Sequence, residues 1–324
     1  MTTFTTIKDY PCAVCGAKHE QTVLRSTNQM GPSDLDGRPA EMARSTMPYW
    51  VQTCPDCGYC SSDISNTDPK IQEIVKSSIY QQQLTSPDFP ELANKFLCEA
   101  LIKEMLGQHL VAANSFIHAA WCCDDTESLQ SATYCRNKAI ELIRKATPKE
   151  HLDKRYNIEP EVFIDLLRRA GRFTEASELV RSILNDKQDY FSLRLLKFQE
   201  KLIEKGDTRK YTTEDATGVI KSARSFSKLA DYLSFNYHNL LTKHEQEAVN
   251  VRGCIDDEGE HWLSNDPAVL NLLVDGIERL AERIAERLTT SYPGKVVINR
   301  CPKCNGITRT ARAKQCQHCH FDWH

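Results

Sequence analysis

Residues 49–58 read Tyr49-Trp50-Val51-Gln52-Thr53-Cys54-Pro55-Asp56-Cys57-Gly58, a β-leaning run that ends in a Cys-x-x-Cys knuckle. The same spacing recurs at Cys12-Ala13-Val14-Cys15-Gly16, at Cys301-Pro302-Lys303-Cys304 and at Cys316-Gln317-His318-Cys319. One such turn presents two thiolates from a single tight loop, and two turns complete a tetrahedral four-sulfur shell around a metal ion. The knuckles therefore pair into two sites, Cys12, Cys15, Cys54 and Cys57 in one, Cys301, Cys304, Cys316 and Cys319 in the other. Zn2+ in a structural role is the expected occupant of both, because four thiolates close the shell and leave no position for a substrate. Iron uses similar knuckles, so spacing alone leaves Fe open. Zinc is the default because no redox partner module is visible.

Working outward, residues 1–62 read as a strand-and-turn module, a zinc ribbon split by a long excursion. Thirty-eight residues separate Cys15 from Cys54, and the excursion from Asn28 to Pro48 is rich in turn signals such as Gly31-Pro32, Asp36-Gly37 and Arg38-Pro39. Residues 63–252 read as one helical domain. Pro69 opens a helix carrying Ile71, Ile74, Val75 and Ile79, and helices over Phe89–Leu106 and Leu110–Cys123 are joined at Gly107. Gly107, Ala112, Phe116 and Ala119 stand at tetratricopeptide spacing, where a glycine turns the chain and small residues let two helices approach. Gly171, Phe173, Ala176, Val180 and Ile183 repeat the pattern 64 residues later, within Glu161–Asn185, with Ser128–Ala146 as a helix between. Further helices are expected over Tyr190–Lys205 and Lys221–Val251. Residues 253–265 are acidic and read as a linker, 266–294 as a helix capped by Asp266-Pro267, and 295–324 as a second, compact ribbon. The fold class expected is mainly α: a TPR-like helical-repeat array flanked by two small β-rich zinc ribbons.

The formal charge of the 324-residue chain is −3, nearer about −7 if each four-thiolate site holds a dication. That balance excludes a general electrostatic grip on nucleic acid, although not a local one. Met1 to Tyr10 lacks the basic start and apolar core of a signal peptide, and no stretch approaches the roughly 18 apolar residues of a membrane span. A cytoplasmic location with reduced thiols is the expectation, so paired cysteines among the fourteen mean metal rather than disulfides.

Other residues admit two readings each. His318, His320 and His324 crowd the second site, but as ligands they would displace a thiolate already at the right spacing, so surface or outer-shell roles are expected. Cys60 reads as a small residue packed under the ribbon, and Cys98, Cys122, Cys123, Cys135 and Cys254 as core cysteines. Asp34, Asp36, Arg38, Glu41 and Arg44 fall within eleven residues of the excursion. They are candidates for a partner-contacting loop, although alternating charges favour an internally salt-bridged loop that lies over the ribbon or the first helices. Arg300, Lys303, Arg309, Arg312 and Lys314, with Trp323, offer cations for phosphate and an aromatic for stacking. The competing reading docks them on the acidic stretch Asp256-Asp257-Glu258-Gly259-Glu260. No phosphate loop, nucleophile elbow or metalloprotease motif is present to propose a reaction.

Cys12-Ala13-Val14-Cys15-Gly16, Leu24-Arg25-Ser26, Ser33-Asp34-Leu35-Asp36-Gly37-Arg38-Pro39 and Tyr49 to Tyr59 together resemble a bacterial family catalogued as domain of unknown function 2225. The resemblance runs from about Tyr10 to Ala146. It implies a split zinc ribbon joined to helical repeats and supplies no catalytic residue. This chain departs in carrying Cys60 and in adding the second ribbon. The function expected is a non-enzymatic adaptor that binds a protein or peptide through its helical-repeat surface, with no membrane or small-molecule substrate. The alternative is nucleic-acid binding through the C-terminal ribbon.

Overall fold

A computed structural model of the chain describes residues 2–323 apart from 67, 152, 154, 185–189, 219, 257 and 258. Asn185, Asp257, Glu258 and His324, which the sequence reading used, lie outside the described residues. The fold is mainly α, with only small sheets. It divides into two compact units, Met1–Lys187 with Ser192–Ala216, and Gln188–Phe191 with Thr217–His324. The expected helical domain over 63–252 is therefore divided near residue 216, and its last part belongs with the C-terminal ribbon.

The first unit begins with a long hairpin, β1 (Thr3–Pro11) against β2 (Lys18–Ser26). Two short ladders follow, β3 (Gln29–Met30) with β4 (Glu41–Met42), and β5 (Gln52–Thr53) with β6 (Cys60–Ser61). The helices are α1 (Ile71–Lys76), α2 (Ser78–Leu84), α3 (Glu91–Met105), α4 (His109–Asp125), α5 (Leu129–Lys145), α6 (Pro148–His151), α7 (Pro160–Arg169), α8 (Phe173–Leu184), α9 (Tyr190–Glu204) and α10 (Thr213–Thr217). The helix expected from Pro69 is broken at Ser77, whose hydroxyl caps α2 by accepting from Tyr80 N. Gly107 and Gly171, with φ of 71° and 76°, end α3 and α7 in the left-handed conformation that lets each chain double back. One apolar core runs from the ribbon into the helices, joining Val51, Tyr59 and Ile64 to Phe96, Phe116, Ile140 and Ile164.

His118 on α4 packs among the rings of Trp50, Phe96 and Trp121, with centroids 5.0–5.1 Å away. Burial drives its pKa down to about 4, against about 6.5 in an unfolded chain. The unfolded state therefore takes up the proton first. Stability is unaffected by this group above pH 6.5 and is lost as the pH falls from 6.5 toward 4, by on the order of 3 kcal/mol at the limit. Urea titrations at constant excess Zn2+ should show a shallower decline between pH 6.5 and 5 for His118→Phe. Equal slopes would assign the acid limb to other groups.

The second unit opens with β7 (Lys221–Ser222) and continues through α11 (Lys228–Tyr237) and α12 (Lys243–Asn250). The expected single helix over Lys221–Val251 is interrupted because Ser227 and Thr242 each cap a new start, Thr242 in a reciprocal box with Glu245. Residues 253–265 are not a linker. They build most of β8 (Arg252–Asp256) and β9 (Gly259–Leu263), an antiparallel hairpin whose outer edge pairs with β7. The helix expected over 266–294 is two, α13 (Pro267–Leu272) and α14 (Gly276–Ser291), divided where Gly276 takes φ 86°. Glu260 of β9 accepts from Ile277 N at 3.0 Å, satisfying the first turn of α14. The core gathers Leu233, Tyr237, Val249, Leu280, Ile284 and Leu288 with Val296 and Ile307 of the C-terminal ribbon. Tyr232 and Tyr237 hydroxyls both donate to Val297 O, at 2.6 and 2.9 Å, and hold that ribbon on α11.

Candidate metal centres

All four knuckles close by the same backbone bonds. The amide after the second cysteine donates to the first cysteine's carbonyl: Gly16 to Cys12 (2.8 Å), Gly58 to Cys54 (2.9 Å), Asn305 to Cys301 (2.9 Å) and His320 to Cys316 (3.0 Å). That closure needs a left-handed residue, and φ is 77°, 74°, 56° and 55° at these positions. His320 is thus placed by the turn it makes. His318 lies across Gly306, where an added Cβ would come within 2.7 Å of its ring. Neither histidine joins the sulfur group among the described residues.

Each set of four sulfurs converges within 4.8 Å. Two edges of each are Cys12–Cys57 3.7 Å and Cys15–Cys54 3.6 Å in the first, Cys301–Cys319 3.6 Å and Cys304–Cys316 3.5 Å in the second. A tetrahedron with metal–sulfur bonds of about 2.3 Å has edges of about 3.8 Å, so the residues present fit a four-coordinate ion. All eight cysteines are free thiols. Backbone amides of Cys319 and His318 pull the Cys316 thiol down to about 6. Cys304 rises to about 12 because Cys316 and Cys319 beside it outweigh a backbone bond from Gly306. Four sulfurs this close ionise together only when a cation neutralises them. Both groups can hold a metal ion in a closed, structural shell.

Residues that the sequence reading did not single out tie the first ribbon to the helices. Tyr80 donates to Gly58 O and accepts from Cys60 N, both at 2.9 Å. Glu99, its pKa raised by burial, accepts from Ser62 N at 2.8 Å and Ser115 Oγ at 3.0 Å. Cys60 is fully buried, 3.3 Å from Gly58 O, and stands outside the sulfur cluster. Cys98, Cys122, Cys123, Cys135 and Cys254 are buried as well. His19 of β2 is a further neighbour, with Nε2 3.5 Å from Cys54 Sγ and 3.4 Å from Asp56 Oδ2.

Most of the charges of the excursion are turned inward. Asp34, Asp36 and Arg38 are 1–3% exposed, because the loop folds onto α4, α5 and α7. Asp36 pairs with Arg169 and lies 3.6 Å from Arg136, and both arginines also bind Asp124. Burial alone would raise the pKa of Asp36, but Arg169 and Arg136 outweigh it and hold the carboxyl below its usual range. Arg38 grips both oxygens of Asp125 at 2.8 and 2.5 Å. Arg44 binds Asp34 at 2.7 Å, and Glu41, left at the surface, accepts from Ser45 Oγ. Backbone bonds from Leu35 N to Tyr211 O (2.9 Å) and Thr213 N to Ser33 O (2.8 Å) complete the anchoring. The alternating charges of the sequence are one half of an internal ion network.

The basic residues of the second ribbon behave differently. Arg300, Lys303, Arg309, Arg312 and Lys314 are exposed. Among the described residues none of them makes an ion pair. Arg300 reaches only Asn305 O (3.2 Å), and Lys303 lies over the Phe321 ring at 5.6 Å. Phe321 and Trp323 stack at 6.2 Å with their planes 16° apart. Arg309 and His318 line one wall of a cleft of about 400 Å³, and Lys228 and Phe235 of α11 line the other. No helix among the described residues is long and apolar enough to cross a membrane.

No curated protein and no solved structure matches the chain. A family model does, over residues 6–210, which takes in the split ribbon, the buried excursion and the helices through α9. By that match the chain belongs to the family described as an uncharacterized protein conserved in bacteria, DUF2225.

Proposed function

We propose that this chain is a non-enzymatic binding protein in which both four-cysteine centres hold structural zinc and the C-terminal ribbon binds single-stranded nucleic acid. The observation that carries this reading is the set of five exposed cations on one small ribbon, without ion-pair partners among the described residues, beside the stacked Phe321–Trp323 pair. Cations that neutralise phosphates and aromatics that stack on bases are the two parts such a surface needs. In the competing reading an acidic stretch of the same chain receives these cations, and one of its acids, Glu260, is already bonded to the first turn of α14. Zinc is preferred to iron because two closed thiolate shells suit a structural ion and the chain carries no visible redox module.

Fluorescence anisotropy with a labelled 12-nucleotide single strand tests the proposal. Affinity should fall with salt, with a log–log slope of about −3 for four or five contacts. The Arg300→Glu/Arg309→Glu/Arg312→Glu variant should bind at least tenfold more weakly. Absent or salt-independent binding overturns it.

A second reading is the adaptor, with a protein or peptide partner on the helical unit. Its support is Ile79, Met105 and Leu129, which are 69%, 64% and 72% exposed. It predicts a partner whose recovery on an affinity column is lost in Met105→Glu/Leu129→Glu and unaffected by the ribbon substitutions.

A further inference from the structure

We infer that the first ribbon takes up a second divalent ion at its edge, held by His19, Asp56 and the sulfur of Cys54, which then bridges two metals. His19 Nε2 and Asp56 Oδ2 converge with Cys54 Sγ, which is also one corner of the four-sulfur shell. The nitrogen lies 3.5 Å from the sulfur and 3.4 Å from the carboxylate oxygen. For a tetrahedral ion with bonds of about 2.3 Å to sulfur and about 2.0–2.1 Å to nitrogen and oxygen, those edges come to about 3.6 and about 3.3 Å. Two edges of a coordination face therefore match, and the third, from Cys54 Sγ to the Asp56 carboxylate, lies within 4.8 Å.

Each donor is presented by a different constraint. His19 sits on β2 opposite Tyr10, the first pair beyond the register shift between Ile7 and Tyr10, so its ring is carried by a paired strand rather than a loose loop. Cys54 and Asp56 belong to one knuckle, which the Gly58 and Tyr59 backbone bonds hold closed. Electrostatics favour a cation here. A filled four-thiolate shell carries about −2, and ionised Asp56 adds another negative charge at its rim. The side chains are unequally shielded, His19 18% and Asp56 60% exposed. A fourth position on the second ion would therefore face solvent and be filled by water. Lys76 lines the same cleft as Asp56.

Three donors and one water make a weaker site than four thiolates, so this ion should load last and leave first. A borderline cation such as Zn2+ or Co2+ suits the S, N, O set, whereas Mg2+ and Ca2+ prefer oxygen alone. The other arrangement these distances allow is a His19 N–H donating to the Cys54 thiolate, a hydrogen bond that tunes the first ion and recruits none.

Elemental analysis of the full chain separates the two. After dialysis against micromolar free Zn2+, the wild type should hold one equivalent more than His19→Ala, and one more than Asp56→Asn. Asp56 is mostly exposed, so its amide variant should keep the fold by circular dichroism even if the histidine variant does not. His318→Ala serves as the control and should keep the full complement. Titrating Co2+ in its place, the last equivalent should add tetrahedral visible bands that both variants lack. Identical stoichiometry in wild type and Asp56→Asn, or an extra equivalent that survives both substitutions, overturns the inference.

Discussion

Replacing Asp36 by Ala should destabilise the first unit by about 3–5 kcal/mol, the cost of leaving a buried charge without its partner. Asp36 is 1% exposed and stands between Arg136 and Arg169, themselves 3% and 8% exposed. Without it, Asp124 alone faces two buried guanidinium groups. The Nε atoms of Arg136 and Arg169 already lack partners, so the network has no spare acceptor to compensate. Urea denaturation monitored on Trp50 and Trp121 should show the lowered midpoint. The double variant Asp36→Ala/Arg169→Met should recover part of the loss, because it removes one orphaned charge along with its mate. A shift below 1 kcal/mol in the single variant would mean that the excursion is not held by this network.

Replacing Cys316 by Ser should remove one equivalent of metal and the order of the second ribbon, and leave the first unit folded. A structural zinc site is worth about 10–16 kcal/mol of apparent binding free energy near pH 7, and that energy is folding energy where no site exists in the unfolded chain. Apart from its docking on α11 through Tyr232 and Tyr237, the ribbon has little else to hold it. Among the described residues its own strand pairing is limited to the isolated bridges Arg300–Ile307 and Gln315–Asp322, while Val296 and Ile307 supply its share of the core. Elemental analysis and amide exchange at residues 299–323 would register both losses, and binding of the single-stranded oligonucleotide should go with them. The direction with pH follows from the ligands: thiolates must be deprotonated, so acid releases the metal and the ribbon's stability falls as the pH drops. Undiminished metal content in Cys316→Ser would show that these four sulfurs are not the site.

The metal ligands were legible because the information is local. A Cys-x-x-Cys turn closes on its own backbone, and Gly16 and Gly58 stand where left-handed φ is required. The pairing of knuckles 38 residues apart needed only the count to four. Helices α3, α4, α5, α7 and α8 were legible for a similar reason, since apolar spacing and the glycines at 107 and 171 report on neighbours three or four residues away. The hairpin over 252–263 was not. Its strands have no clean alternation, and its acids suggested a solvated linker, yet β8 pairs with both β7 and β9. Strand pairing is a contact between segments, and composition does not record it.

Sequence alone determined that this chain closes two four-sulfur shells around a helical middle, because ligand spacing and helical periodicity act over a few residues. Tertiary structure decided the rest. It turned Asp36 and Arg38 from candidate contacts into the buried anchors of a folded excursion, through Arg169 and Asp125, which lie 133 and 87 positions away in the chain. It likewise set His19 of the first hairpin beside Cys54 and Asp56 of the second knuckle. Charges in a sequence carry no address. Only the fold determines which of them meet, and how much water remains when they do.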